Sequence, residues 1–161
     1  MRRLCQLVLG LVVVACNPDS GDEQGQGAIN IPFTPDISIN AVMVGQIDHA
    51  AHFIWDAADP ELSSSEIDWQ EVEHHAIQLV SSRAAMTMGG SGVNDAMWIA
   101  QSSWRQYVNE MNAGSTLALR AARDRDQQRL QTAGDILVLS CEACHQQFKP
   151  DIPTEGLSHP H

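Results

Sequence analysis

Apolar residues recur at three- and four-residue steps through four stretches of this 161-residue chain. That spacing places side chains on one face of an α-helix. In the first stretch, residues 36–58, the stripe is Ile39, Met43, Ile47, Ala50, Ile54 and Ala57, and Asp59-Pro60 stops it. The second opens on start chemistry: Asp68 as N-cap, Glu71 three residues on, and Ile67 with Val72 as a hydrophobic staple. Trp69, Val72, Ala76 and Leu79 form its stripe, and its predicted end is near Met88, before Gly89-Gly90. The third is predicted from Asn94, as N-cap, to about Arg123. Met97, Ala100, Trp104, Tyr107, Met111 and Ala118 carry its stripe, with Gly114 a weak point. The fourth begins near Asp124 or Asp126 and steps through Leu130, Ala133, Leu137, Cys141, Cys144 and Phe148.

No Val/Ile/Thr alternation suggests strands, and no repeat is visible. Four amphipathic helices with short connections predict an all-α, antiparallel up-down four-helix bundle. Residues 16–35 are rich in Gly, Asp, Gln and Pro and read as a flexible tether; residues 150–161 read as a tail. The bundle is then residues 36–149, one domain with one core.

The fourth stripe contains the most specific chemistry in the chain. Cys141-Glu142-Ala143-Cys144-His145 is a C-x-x-C-H string, the attachment sequence of c-type haem. Each thiol adds across one haem vinyl group, and the adjacent imidazole supplies an axial iron ligand. A C-x-x-C pair also serves dithiol redox centres and zinc sites. A dithiol pair belongs after a strand, and a zinc site wants a second ligand pair; this chain offers neither. The expectation is one covalent haem c per chain, near the C-terminal end of the fourth helix. Cys141 and Cys144 are its thioether residues and His145 its proximal iron ligand.

The N-terminus points to export. Met1-Arg2-Arg3 precedes an apolar run, Leu4 to Ala15, too short to span a bilayer and of signal-peptide length. It ends Val13-Val14-Ala15-Cys16, which resembles the lipobox of bacterial lipoproteins. Residues 1–15 are therefore read as a lipoprotein signal peptide and Cys16 as the lipidated residue. Cys5 leaves with the signal, so all four cysteines are accounted for without a disulfide. The chain carries nine basic against 20 acidic residues, a formal charge of −11 that becomes more negative when Arg2 and Arg3 depart. Such a surface repels nucleic acid and anionic headgroups. Membrane association would come from the acyl chains.

The helical pattern with a late C-x-x-C-H resembles the class II cytochromes c, the cytochrome c-prime family. The ending Cys141-Glu142-Ala143-Cys144-His145-Gln146-Gln147-Phe148-Lys149 is similar to the family's C-x-x-C-H-x-x-aromatic-basic ending. So, in a longer branch of the family, is the first-helix run Asp48 with Ala50-Ala51-His52-Phe53-Ile54-Trp55-Asp56. The resemblance covers about residues 36–149 and implies a left-handed bundle around one covalent haem. Lys149 matches a basic residue flanking the proximal histidine, or is simply a cation at a helix end. Family members divide by what the first helix places at the sixth iron position: methionine for electron transfer, an apolar residue for binding small gases. Met43, near the start of that helix, is the candidate sixth ligand; the alternative is core packing. His49 and His52 are weaker candidates, about 9 and 13 Å further along at 1.5 Å per residue.

The remaining residues add less. His74-His75 are adjacent and point apart; both are expected to be exposed. Trp55, Trp69, Trp98 and Trp104 are expected as core and haem-pocket walls. His159-Pro160-His161 reads as solvated tail. The function expected is a periplasm-facing, lipid-anchored monohaem electron carrier serving unidentified redox partner proteins. The alternatives are a nitric oxide or other small-gas binder and a dithiol oxidoreductase. No nucleophile–base set suggests a substrate-transforming enzyme, and inner versus outer membrane is left open.

Overall fold

A computed structural model of the chain describes residues 35–61 and 66–150. The signal, Cys16, the tether and the His159-Pro160-His161 tail lie outside the described residues. Four long helical segments form the bundle. The first is a continuous helix of three parts: α1 (Ile39–Val42), a π-helical turn (Met43–Ile47) and α2 (Asp48–Ala58). The others are α3 (Trp69–Met88), α5 (Ser102–Asp124) and α6 (Gln127–Phe148), with a short α4 (Asp95–Ile99) ahead of α5. Helix α3 packs on α2 and α5, and α6 packs on α5 and α2, which closes the ring.

Local chemistry sets most boundaries. Asp68 accepts from the amides of Gln70 and Glu71, as its capping sequence predicts. Asp126 accepts from Arg129 N–H to start α6. The two-residue turn before it ends α5 on Arg125 in the left-handed region, with Asp126 N–H bonded back to the Ala121 carbonyl. Gly89, at φ 86°, ends α3.

Four details differ from the sequence expectation. The first helix starts at Ile39, not Asp36, because Ser38 is its cap: the hydroxyl accepts from Ala41 N–H at 3.1 Å. The helix is not uniformly α. Asp48 N–H donates to the Met43 carbonyl, five residues back, which makes the π turn. The predicted third helix is broken between Ile99 and Ser102. Across that break Trp98 and Trp104 stack with ring centres 5.3 Å apart, and Trp98 rather than Met97 or Ala100 is buried. Finally, Asn94 holds the N-cap position of α4 without a side-chain bond.

The neighbouring Asp95 acts instead. Its carboxylate is 2 % exposed and accepts from Ile39 N–H and Gly92 N–H, each at 2.9 Å. Ser91 N–H bonds the Ile37 carbonyl beside it. The α3–α4 loop is thereby tied to the start of the first helix. Gly90 and Gly92 make room: a Cβ on Gly92 would lie 2.6 Å from an Asp95 carboxylate oxygen, and one on Gly90 would lie 2.6 Å from the Ile37 carbonyl oxygen. Elsewhere Gly114 is no weak point. It is where α5 and α6 touch, with Leu137 Cγ 3.0 Å from where its Cβ would stand.

Candidate haem site

At one end of the bundle the four helices line a partly open cavity of about 240 Å3. Helix α6 brings Val138, Cys141, Glu142, Cys144 and His145 to its wall. The first helix brings Met43, Ile47, Asp48, Ala51 and Trp55. The far wall is Met86 from α3 with Tyr107, Val108 and Met111 from α5. Cys141 and Cys144 recur on one face with Leu137, and His145 lies one turn after Cys141, so one helix face delivers all three groups. Antiparallel packing sets the beginning of the first helix beside the end of α6, which is why Met43 and His145 face the same space.

The end of α6 is held from outside. Phe148 packs edge-on to Trp104 at 5.0 Å, and the Lys149 ammonium lies 5.3 Å over the Trp98 ring. Gln147 donates to Ser103 Oγ at 2.9 Å. These contacts fix the turn that carries His145 against α4 and α5. They also place Trp98 and Trp104 behind Phe148, outside the cavity wall. Of the four tryptophans, Trp55 alone is part of that wall.

The two thiols are half-buried, but they open onto the cavity rather than bulk water. Burial pushes Cys141 up to about 11, with Asp48 and Glu142 adding to the rise against a lowering bond from Ser140. Burial, then the neighbouring Cys141, pushes Cys144 up to about 12. Both are neutral thiols near pH 7.

His49 and His52 are not in the described cavity wall. His52 Nδ1 lies 2.9 Å from the Asp48 carbonyl oxygen. His49 is exposed and meets His75 edge-on at 5.3 Å. His74 is exposed as expected, but His75 is buried: its ring stacks on Phe53 at 4.2 Å, and Nδ1 lies 2.9 Å from Gln78 Oε1. An aromatic lid from the first helix, invisible in the spacing of α3, accounts for that burial.

Residues 64–149 match the family described as cytochrome C'. The chain belongs to that family. No curated protein and no solved structure matches it. The match spans α3 to the end of α6 and contains the C-x-x-C-H string; the first helix lies ahead of it. Membership makes this a monohaem c-type cytochrome with an all-α bundle fold, and haem c the group its cavity should accept.

The cavity's own chemistry fits that group. Two neutral thiols and an imidazole line one wall, a thioether faces them from another helix, and most of the remaining lining is apolar. One polar atom there is incomplete. The Trp55 Nε1–H is buried and has no hydrogen-bond partner among the described residues. The far-wall residues Met86 and Val108 carried no sequence signal, because their place depends on how α3 and α5 turn against α6.

Proposed function

We propose that the protein is an exported, lipid-anchored one-electron carrier. In this reading Cys141 and Cys144 hold one haem through thioether bonds, His145 is the proximal ligand, and Met43 is the sixth. The observation that supports it is the shared cavity: Met43 and His145 both line it, from neighbouring helices that run antiparallel. Bound there, haem c supplies reversible one-electron chemistry at its iron.

The chain's residues tune that chemistry. The contacts around Phe148 and Lys149 orient the turn carrying His145. Ile47, Ala51, Val108 and Met111 give the cavity an apolar lining, which would limit solvent reorganisation when charge changes. The Met43 thioether, a soft donor, favours ferrous iron. The carboxyl groups of Asp48 and Glu142 on the lining would favour the ferric state and offset part of that effect. Lipidation at Cys16 would hold the domain near membrane redox partners on a short tether and raise its effective concentration for each encounter.

A second reading has one observation in its favour. Most of the cavity wall is apolar, and its volume of about 240 Å3 would admit a small gas such as nitric oxide. The reduced, purified protein separates the two. A carrier shows a sharp low-spin spectrum, and Met43→Leu converts it to high-spin, lowers the potential and opens it to carbon monoxide. A wild type already high-spin and gas-binding would leave Met43 as wall packing and favour the gas binder.

A further inference from the structure

Two buried indoles in this fold are treated differently. Trp104 Nε1 donates to the Met86 carbonyl oxygen at 2.8 Å. Trp55 Nε1, on the last turns of α2, is buried against the cavity with no acceptor among the described residues. A buried donor left without an acceptor destabilises the fold unless a partner is supplied. Its ring is not free to turn away: it meets the His52 ring edge-on at 4.9 Å, and Gly134 of α6 leaves just enough room on the other side, where a Cβ would lie 3.8 Å from Trp55 Cδ1.

A haem offers hydrogen-bond acceptors in two places: the ligand on its iron and its two propionate carboxylates. Trp55 stands twelve residues after Met43, roughly 18 Å along a helix at 1.5 Å per residue. Gly134, beside it, stands eleven residues before His145, roughly 16 Å by the same rise. The backward lean of helical side chains shortens the first span by a few ångströms only. The indole is therefore out of reach of an axial ligand, and the propionates remain. A neutral donor also suits a propionate there, because a carboxylate drawn out of water needs hydrogen bonds to stay ionised.

We propose that Trp55 Nε1–H is the hydrogen-bond donor to a haem propionate, a role contributed by the first helix, outside the matched family segment. The proposal rests on the haem reading of the cavity, and a covalent haem adduct by mass spectrometry tests that reading separately. For the proposal itself, the haem-loaded wild type is compared with Trp55→Phe by resonance Raman spectroscopy in H2O and D2O. The expected result is a propionate bending band that shifts on deuteration in the wild type and loses that shift in Trp55→Phe. The same band in both proteins overturns the proposal. A crystal structure of the haem-loaded wild type decides without a variant. Nε1 within about 3.2 Å of a propionate oxygen supports it; an indole bonded to water alone or to nothing refutes it.

Discussion

Replacing Asp95 with alanine removes the buried carboxylate that joins the α3–α4 loop to the first helix. Both of its bonds are 2.9 Å and go to backbone amides, Ile39 and Gly92. A bond to a charged partner contributes about 1.5–3 kcal/mol net. Ile39 is 2 % exposed, so its amide has no water to turn to and the loss there is near the upper figure. Gly92 is more open, and its loss is smaller. Relief of the carboxylate's desolvation offsets part of the sum, leaving about 3 kcal/mol. For a domain of this size each kcal/mol moves the midpoint by roughly 4 °C, so Asp95→Ala should melt about 12 °C lower. Asp95→Asn keeps the shape and one acceptor and should lose about half as much. Thermal unfolding followed by circular dichroism gives the midpoints. Hydrogen exchange on the segment Ser38–Met43 locates the effect, which should be faster exchange there and little change in α6. A fall of less than 3 °C in Asp95→Ala, with the Ile39 amide still protected, would refute the argument that this carboxylate anchors the helix.

Three further outcomes follow from packing and charge. Gly114→Val should destabilise by about 2 kcal/mol, because its first carbon already meets Leu137 at 3.0 Å and Ile136 at 3.1 Å; denaturant titration reads it. Gly45→Ala should stabilise by roughly 0.5–1 kcal/mol, since no atom lies within 4 Å of the added methyl and alanine favours helix; a lower midpoint would show that the π turn needs glycine. In the haem-free folded protein, alkylation of Cys141 and Cys144 at pH 8 should run about 100-fold slower than in the urea-unfolded chain, and equal rates would contradict their burial. Their raised values also fix a sign: the stabilising neutral thiols are fully present below about pH 9 and lost as pH climbs towards about 12, so haem-free stability should fall across that window.

What the sequence made legible was local. The Asp68 cap and the end of α3 at Met88 are chemistry within a few residues, and both stand where the pattern put them. The C-x-x-C-H string carried the cofactor class for the same reason. What it hid was non-local. The break before Ser102 comes with the stacking of Trp98 on Trp104 across it. Burial of His75 depends on Phe53 of another helix. Asp95 reads as an ordinary first-turn acid, and only the packed fold brings Ile39 to it. The π turn left a faint trace: Ile39, Met43 and Ile47 step by four and four, which drifts around an α-helix but suits a wider turn.

That wider turn changes what a deletion would mean. In an ordinary exposed loop, losing one codon shortens the chain. Between Met43 and Ile47 the helix already holds one residue more than an α-helical ladder uses, so losing one closes the ladder into regular α-helix. The segments ahead and behind keep their facing, because the wide turn alone absorbed the extra residue. With Ile39 held by Asp95, losing the Met43 codon itself would leave Val44 four residues after Ile39, in the place Met43 held. One codon thus separates two versions of the cavity wall, one with sulfur at that position of the first helix and one with hydrocarbon there, while the flanking helix keeps its register with the bundle.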